Sequence, residues 1–330
     1  MKNGLHPAGG AAFFKRRIRH ECGLFCHRYL AILPCTESVG YRDPAAVFHE
    51  GSVYCFYSYV EKGADGWTYF RLGVSISEDL VHWRGPYLLT EADRRFNYSS
   101  PGCVIRVGDE FVMCIQTYPT QNNAPDQVCG DQTSRLYLIR SKDLLHWSEP
   151  ELMRVHGDDV AEADMGRMID PYIVRDIHDE GRYLVFYKQH PKGVPHAKTD
   201  TGYPVEYMCY SSTRDLKHFQ YEGYVECGEN VCVLPWQEGY RIYNSPQNGV
   251  ACLLTKDFIH YEREAPLIFG QAEWPWAQDR LTAGFVLDGR SVPGVGKYLM
   301  FFNADAPEHF PFCASVGIAW SDDLVNWQYK

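Results

Sequence analysis

One seven-residue phrase recurs five times along the chain and limits the fold more than any other feature. It reads Ser77-Glu78-Asp79-Leu80-Val81-His82-Trp83, then Ser141-Lys142-Asp143-Leu144-Leu145-His146-Trp147. It returns as Thr213-Arg214-Asp215-Leu216-Lys217-His218-Phe219, Thr255-Lys256-Asp257-Phe258-Ile259-His260-Tyr261 and Ser321-Asp322-Asp323-Leu324-Val325-Asn326-Trp327. The intervals between the successive Asp positions are 64, 72, 42 and 66 residues. Repetition on this scale marks a chain built from similar units that pack side by side.

Each copy follows a run suited to a β-strand, at 70–77, 136–141, 206–212, 249–255 and 314–321. Further upstream lie runs rich in aromatic and β-branched residues, at 53–59, 111–116, 183–187 and 298–302. In front of these sit shorter runs at 45–49, 102–107, 172–176, 231–235 and 283–288. Each unit therefore reads as strand, Gly or acidic turn, strand, variable loop, strand, Asp-Leu turn, short strand. A single four-stranded unit cannot bury both faces of its sheet, so five of them must pack around a common axis. The expected fold class is all-β, a five-bladed β-propeller with four-stranded antiparallel blades. Apolar stripes of helical period are scarce. In the repeated phrase, Asp reads as a turn cap, Leu and the aromatic as packing between blades, and His as hydrogen-bonded scaffold.

Composition narrows the function classes. The chain has 330 residues, 45% apolar and 15% aromatic, enough for one large core or two small ones. With 32 Lys and Arg against 42 Asp and Glu, its formal charge of −10 repels a phosphate backbone and argues against a nucleic-acid partner. No apolar run approaches the roughly 20 residues of a membrane span, so no membrane partner is expected. The 12 cysteines are not spaced as zinc ligands. Cys55, Cys114, Cys209 and Cys252 sit among aromatic or β-branched residues and read as small buried hydrophobes. No signal-peptide pattern is seen, so a cytoplasmic location with reduced thiols is expected. Lys15, Arg16, Arg17 and Arg19 mark residues 1–20 as a solvated basic leader, and 21–330 as one propeller domain. The stretch 23–33 reads as a strand that completes the ring beside the last blade. Oligomeric state leaves no signal in the sequence.

In a propeller the inner strands begin around one axial cavity, and the residues just before them share it. These positions read Tyr41-Arg42-Asp43-Pro44, Asn97-Tyr98-Ser99-Ser100-Pro101, Met168-Ile169-Asp170-Pro171, Glu226-Cys227-Gly228-Glu229-Asn230 and Gln278-Asp279-Arg280-Leu281-Thr282. Carboxylates from blades one, three and four converge, and Arg280 aligns with them in blade five.

Asp43-Pro44 opening blade one, Asp170-Pro171 opening blade three and a Glu opening blade four resemble the three-acid signature of five-bladed propeller glycosidases. That group comprises glycoside hydrolase families 43, 62, 32, 68 and 117 and the phosphorylases of family 130; family 43 is the nearest in pattern. The resemblance runs from Asp43 through the last repeat. It implies that Asp43 is the general base of an inverting enzyme of the family 43 type, or the nucleophile of a retaining one of the family 32 type. It implies that Asp170 orients the acid and raises its pKa, and that Glu229 is the general acid. The run from Glu229 to Pro235 resembles the families' Glu-x-Pro-x-hydrophobic-hydrophobic-Pro segment, while Glu226-Cys227 resembles their Glu-Cys-Pro form, so Glu226 stands as the alternative acid. Neither Glu is followed by Gly-Pro or Cys-Pro. Family 117 uses a histidine acid, which adds His190 and His309, on loops expected to face the cavity.

Arg280 is expected to bind a substrate hydroxyl or to act as the counter-ion of Asp43. Tyr118, Trp274 and Trp276 are expected as walls on which a sugar ring stacks. No cofactor is required. An axial calcium of the kind some family 43 enzymes carry would fall to His309, although no acidic cage resembling a calcium loop accompanies it. The expected function is hydrolysis of a glycosidic bond in a short oligosaccharide, with inversion, since the Trp-Met-Asn-Asp-Pro opening of family 32 is absent before Asp43. Two other readings stay open: a family 130 type phosphorylase, with Arg280, Lys188 and His190 holding phosphate, and a non-catalytic propeller that binds a glycan.

Overall fold

The computed structural model of the protein describes residues 31–199, 202, 204–267, 269, 274–277, 279–305, 310 and 312–329. The basic leader and most of the expected closing strand at 23–33 lie outside them. The described strands form five antiparallel four-stranded sheets. Blade one comprises β1 (Val39–His49), β2 (Ser52–Lys62), β3 (Thr68–Ser77) and β4 (Arg84–Leu88). Blade two comprises β5 (Ser99–Val107), β6 (Glu110–Gln116), β7 (Leu136–Ser141) and β8 (Glu151–Leu152). Blade three comprises β9 (Ile169–Arg175), β10 (Tyr183–Lys188), β11 (Tyr207–Thr213) and β12 (Gln220–Glu226). Blade four comprises β13 (Glu229–Trp236), β14 (Gly239–Ser245), β15 (Ala251–Thr255) and β16 (Tyr261–Arg263). Blade five comprises β17 (Leu281–Asp288), β18 (Tyr298–Asp305), β19 (Ala314–Ser321) and β20 (Trp327–Gln328). The five first strands pack in a ring, β1 on β5, β5 on β9, β9 on β13, β13 on β17 and β17 back on β1. The protein is a five-bladed β-propeller. The only helix among the described residues is one 3-10 turn at Glu162–Asp164, and no described helix is long and apolar enough to cross a membrane.

The repeated phrase joins the third strand of each blade to the fourth. Ser77 Oγ accepts the Leu80 amide at 2.8 Å, and Asp79 Oδ1 accepts the Val81 and His82 amides at 3.0 and 2.8 Å. The imidazole Nδ1 of His82 bonds the other Asp79 oxygen at 2.8 Å. Equivalent bonds recur at Asp143, Asp215, Asp257 and Asp323. The Leu or Phe of each turn has positive φ, from 57° at Phe258 to 67° at Leu144. That conformation costs about 1–2 kcal/mol. Burying the side chain returns about 1.5–3 kcal/mol, and these five residues are 0–8% exposed. The aromatics also pack on the preceding blade: Trp147 on Phe56, Trp327 on Tyr243, and Trp83 on Phe301, which joins blade one to blade five. The phrase is a turn and a joint between blades.

Closure has a second component. Val316 on β19 pairs with Leu33, with the Val316 amide donating to the Leu33 carbonyl at 3.0 Å and the Ile32 amide donating to the Val316 carbonyl at 2.8 Å. The described end of the 23–33 stretch thus lies beside the last blade.

The inner ring is tight enough to demand glycine at one contact. A Cβ on Gly102 would stand 1.4 Å from the carbonyl oxygen of Pro171 in the next blade. Because that neighbour is backbone, only a shift of one blade against another could relieve the clash. Gly102→Ala is expected to cost more than about 4 kcal/mol, a loss confined to severe core disruption; a melting temperature within a few degrees of the parent's would contradict this packing.

Candidate active site

The carboxylates do not sit before the inner strands, as the sequence suggested, but inside them. Each first strand carries a β-bulge, where register slips between Arg42 and Ala45, Ser99 and Cys103, Glu229 and Cys232, and Thr282 and Phe285, with the matching slip in blade three opposite Phe186 and Lys188. At each bulge one residue has positive φ: Asp43 at 50°, Ser100 at 44°, Asp170 at 54°, Asn230 at 50° and Ala283 at 58°. A bulge bends the strand and re-aims its side chains. Here the five bulges surround a narrow axial cavity of about 30 Å³, lined among others by Asp43, Ser100, Asp170, Asn230 and Ala283. The expected equivalences are corrected accordingly. Glu229 lies one residue before its blade's bulge residue and Arg280 three before, so neither is the counterpart of Asp43 or Asp170.

The bulge amides are held by one repeated device. The Asp43 amide donates to Asn303 Oδ1 at 2.9 Å, Ser100 to Ser58 Oγ at 2.8 Å, Asp170 to Gln116 Oε1 at 2.7 Å and Ala283 to Ser245 Oγ at 2.7 Å. Each acceptor sits on the second strand of the preceding blade, at the same register position: Ser58 opposite Arg42, Gln116 opposite Ser99, Ser245 opposite Glu229 and Asn303 opposite Thr282. In blade three that position, opposite Ile169, is Lys188.

Asp43 is fixed through one oxygen. Its Oδ2 accepts the hydroxyls of Ser58 at 2.9 Å and Ser100 at 3.0 Å. Among the described residues no hydrogen bond engages Oδ1. Asp170 is 8% exposed, and burial, reinforced by the nearby Glu229 and Asp43 charges against the pull of Lys188 and Arg167, pushes its carboxyl up to about 7. Glu229 moves the other way. Burial would raise it, but the Lys188 and Arg280 cations outweigh burial and hold it at about 2. Lys188 Nζ lies 2.6 Å from Glu229 Oε2 and 3.1 Å from Glu206 Oε1, while the Arg280 guanidinium bonds Glu229 Oε1 and donates through Nε to the Gln247 carbonyl at 3.0 Å. Buried Arg42, beside Asp43 in sequence, pairs with Asp305 at 2.7 Å and lies over the Phe312 ring. Sequence reasoning gave Arg42 and Asp305 no role; the only sign was their adjacency to a candidate acid and to a loop expected at the cavity.

Glu229 and Arg280 line a second, larger cleft of about 1030 Å³ between blades three, four and five. Glu226, the alternative acid, lines it too, exposed at the end of β12. Thus Asp43 and Asp170 face the axis, both glutamates face the cleft, and Glu229 and Asp170 influence each other's protonation across the boundary.

Several expected substrate contacts lie elsewhere. Trp274 is 2% exposed, stacked on Trp276 and Phe302 against blade five, so the face meant for a sugar is already covered. Trp276 stacks on the same Phe302 and lies against Gly317. Tyr118 is 8% exposed between Phe70 and Phe312, with Arg167 over its ring, and offers no open wall. His190 is exposed, stacked on His196, and bonds the Val194 carbonyl at 2.7 Å within its own loop. His309 lies outside the described residues. Among those described, no three His, Cys, Asp or Glu side chains are arranged to hold a metal ion.

No family model matches the sequence, and no curated protein matches it. Solved structures do match in fold. A glycosyl hydrolase from Bacteroides ovatus superposes with a TM-score of 0.63 at 12% identity, covering 93% of this chain and 95% of that one. A family 117 glycoside hydrolase of the marine bacterium Zobellia galactanivorans gives 0.56 at 15% identity over 86% and 84% of the two chains. A thermostable family 43 glycoside hydrolase gives 0.57 at 12% identity over 90% and 95%. The chain has the five-bladed β-propeller fold of these glycosidases.

Proposed function

We propose that the protein is a glycoside hydrolase that cleaves a glycosidic bond in a short oligosaccharide by carboxylate acid/base chemistry. The observation that carries this reading is the division of labour among three carboxyl groups from three blades. Glycoside hydrolysis needs one carboxylate to take a proton and one carboxyl group to give one, and paired acids whose environments push their pKa values apart meet that need. Asp43 is the base: Oδ2 is oriented by two serine hydroxyls and Oδ1 is open to a water. Asp170 and Glu229 form the proton-holding pair. Below about pH 7 the proton rests on the Asp170 side, raised to about 7, while the cations keep Glu229 ionised. Glu229 faces the cleft that would take the leaving group. When a sugar hydroxyl draws Arg280 away, Glu229 loses a cationic partner and gains proton affinity, so that it can take up a proton from solvent and deliver it to the glycosidic oxygen. The cleft is also lined by Asn244, Gln247, Asn248 and Arg263, groups suited to sugar hydroxyls.

The test is hydrolysis of a panel of aryl furanosides and pyranosides between pH 5 and 8, with the first-formed anomer read by proton NMR. Turnover of at least one with inversion is expected. Inactivity over the whole panel would leave glycan binding as the better reading, and turnover that requires added inorganic phosphate would assign Lys188 and Arg280 to phosphate and make the protein a phosphorylase.

A further inference from the structure

Lys188 breaks the rule that the rest of the ring keeps. Its counterparts Ser58, Gln116, Ser245 and Asn303 all accept a bulge amide, but a lysine ammonium has only donors and cannot do so for Asn230. Four blades close around neutral side chains at this position, so packing does not call for a cation. A largely buried ammonium is costly unless it is paired, and this one, 19% exposed, spends its hydrogen bonds on Glu229 and Glu206. We propose that Lys188 is a positioning residue of the active site, standing where the fold otherwise places a structural acceptor so as to hold Glu229 against the cleft wall together with Arg280. The catalytic consequence rests on the glycosidase reading; the electrostatic one does not.

Charged groups surround Glu229 from several neighbouring elements. Lys188 comes from β10, Glu206 from the residue before β11, Arg280 from the approach to β17 and Arg42 from β1. Asp170 on β9 is the opposing acid, with Arg167 just before it. Lys188 acts on both acids at once, lowering Glu229 and restraining the rise of Asp170. Without it both bind protons more tightly, and Glu229, the direct partner, changes most.

Lys188→Gln separates the structural from the electrostatic role, because it installs the residue type that blade two uses at Gln116. This variant is expected to fold, with a melting temperature a few degrees below the parent's at neutral pH because Glu229 keeps only Arg280 as a cationic partner. Carbon-13 NMR titration of the side-chain carboxyls should show the proton affinity of Glu229 raised at least tenfold in Lys188→Gln and in Lys188→Met, and within threefold of the parent in Lys188→Arg. On an aryl glycoside that the parent turns over, kcat should fall at least a hundredfold in Lys188→Gln with KM within threefold, and Lys188→Arg should recover to within tenfold of the parent. A Glu229 titration unmoved in both neutral variants overturns the proposal, as does undiminished kcat in them. If the parent hydrolyses no glycoside, the functional reading falls alone, since the titration still decides what Lys188 does to Glu229.

Discussion

Asp43→Asn is expected to lower kcat by about four powers of ten or more, with KM within threefold and the melting temperature within about 2 °C of the parent's. The two parts of this result have separate causes. The fold is spared because asparagine suits the position: it tolerates positive φ better than most residues, and Asp43 sits at 50°. Its amide oxygen can still accept the Ser58 and Ser100 hydroxyls that now bond Oδ2, and the backbone amide keeps its bond to Asn303. The chemistry is lost because the NH2 then occupies the place of Oδ1, and an amide nitrogen cannot take a proton from water. Loss of a positioned general base alone accounts for about two to four powers of ten, and the unfavourable donor facing the water adds to it. Activity near the parent's in a folded Asp43→Asn would move the base to another residue. A variant that unfolded would instead mean that the Ser58–Asp43–Ser100 hydrogen bonds are primarily structural.

Much of the architecture was legible in the sequence because its repeating part is also its joint. Asp79, Asp143, Asp215, Asp257 and Asp323 cap turns whose neighbours must pack on the preceding blade, so each turn needs nearly the same residues, and five copies mean five blades. The starts of the inner strands were less legible. Asp43-Pro44 and Asp170-Pro171 read locally as turns, whereas the chain passes through them as a bulge within a longer strand. The second strand of blade four was hidden by Arg241, which looks like a surface residue but is 2% exposed, paired with Glu264 and donating to the Leu324 carbonyl of the next blade. At the site, the blade count led to Asp43 and Asp170 sharing the axial cavity, but not to Glu229 facing the neighbouring cleft instead. The place of Lys188 did not follow from it either, because its equivalents are serine, glutamine, serine and asparagine, and only the strand register reveals that these share one position. Nor can sequence distinguish a tryptophan that awaits a sugar from one that stacks on Phe302, as Trp274 does.

Asp170→Asn is expected to abolish turnover and at the same time to stabilise the protein at alkaline pH. Asp170 in the folded chain is raised to about 7, against about 3.9 in an unfolded chain. Between those values the folded state binds the proton that the unfolded state has released. The stability that Asp170 contributes is therefore full below about pH 4 and declines as pH rises to 7, above which the whole cost of ionising a buried carboxyl is carried. Glu229 has the opposite sign: held at about 2, it contributes stability above its ordinary range that is lost as pH falls towards 2. An amide at 170 removes the first dependence and keeps the second. The Asp170 backbone bond to Gln116 does not involve the side chain and should survive. Because the amide also forgoes attraction to Lys188, the net gain at pH 8 is expected to be about 1–3 kcal/mol, or several degrees in melting temperature, shrinking to nothing near pH 4. Thermal unfolding of parent and variant at pH 4, 6 and 8 reads this directly. A difference that grows towards acid pH would mean that Asp170 is ionised in the folded protein, and the proton assigned to the Asp170–Glu229 pair would then have to be held elsewhere.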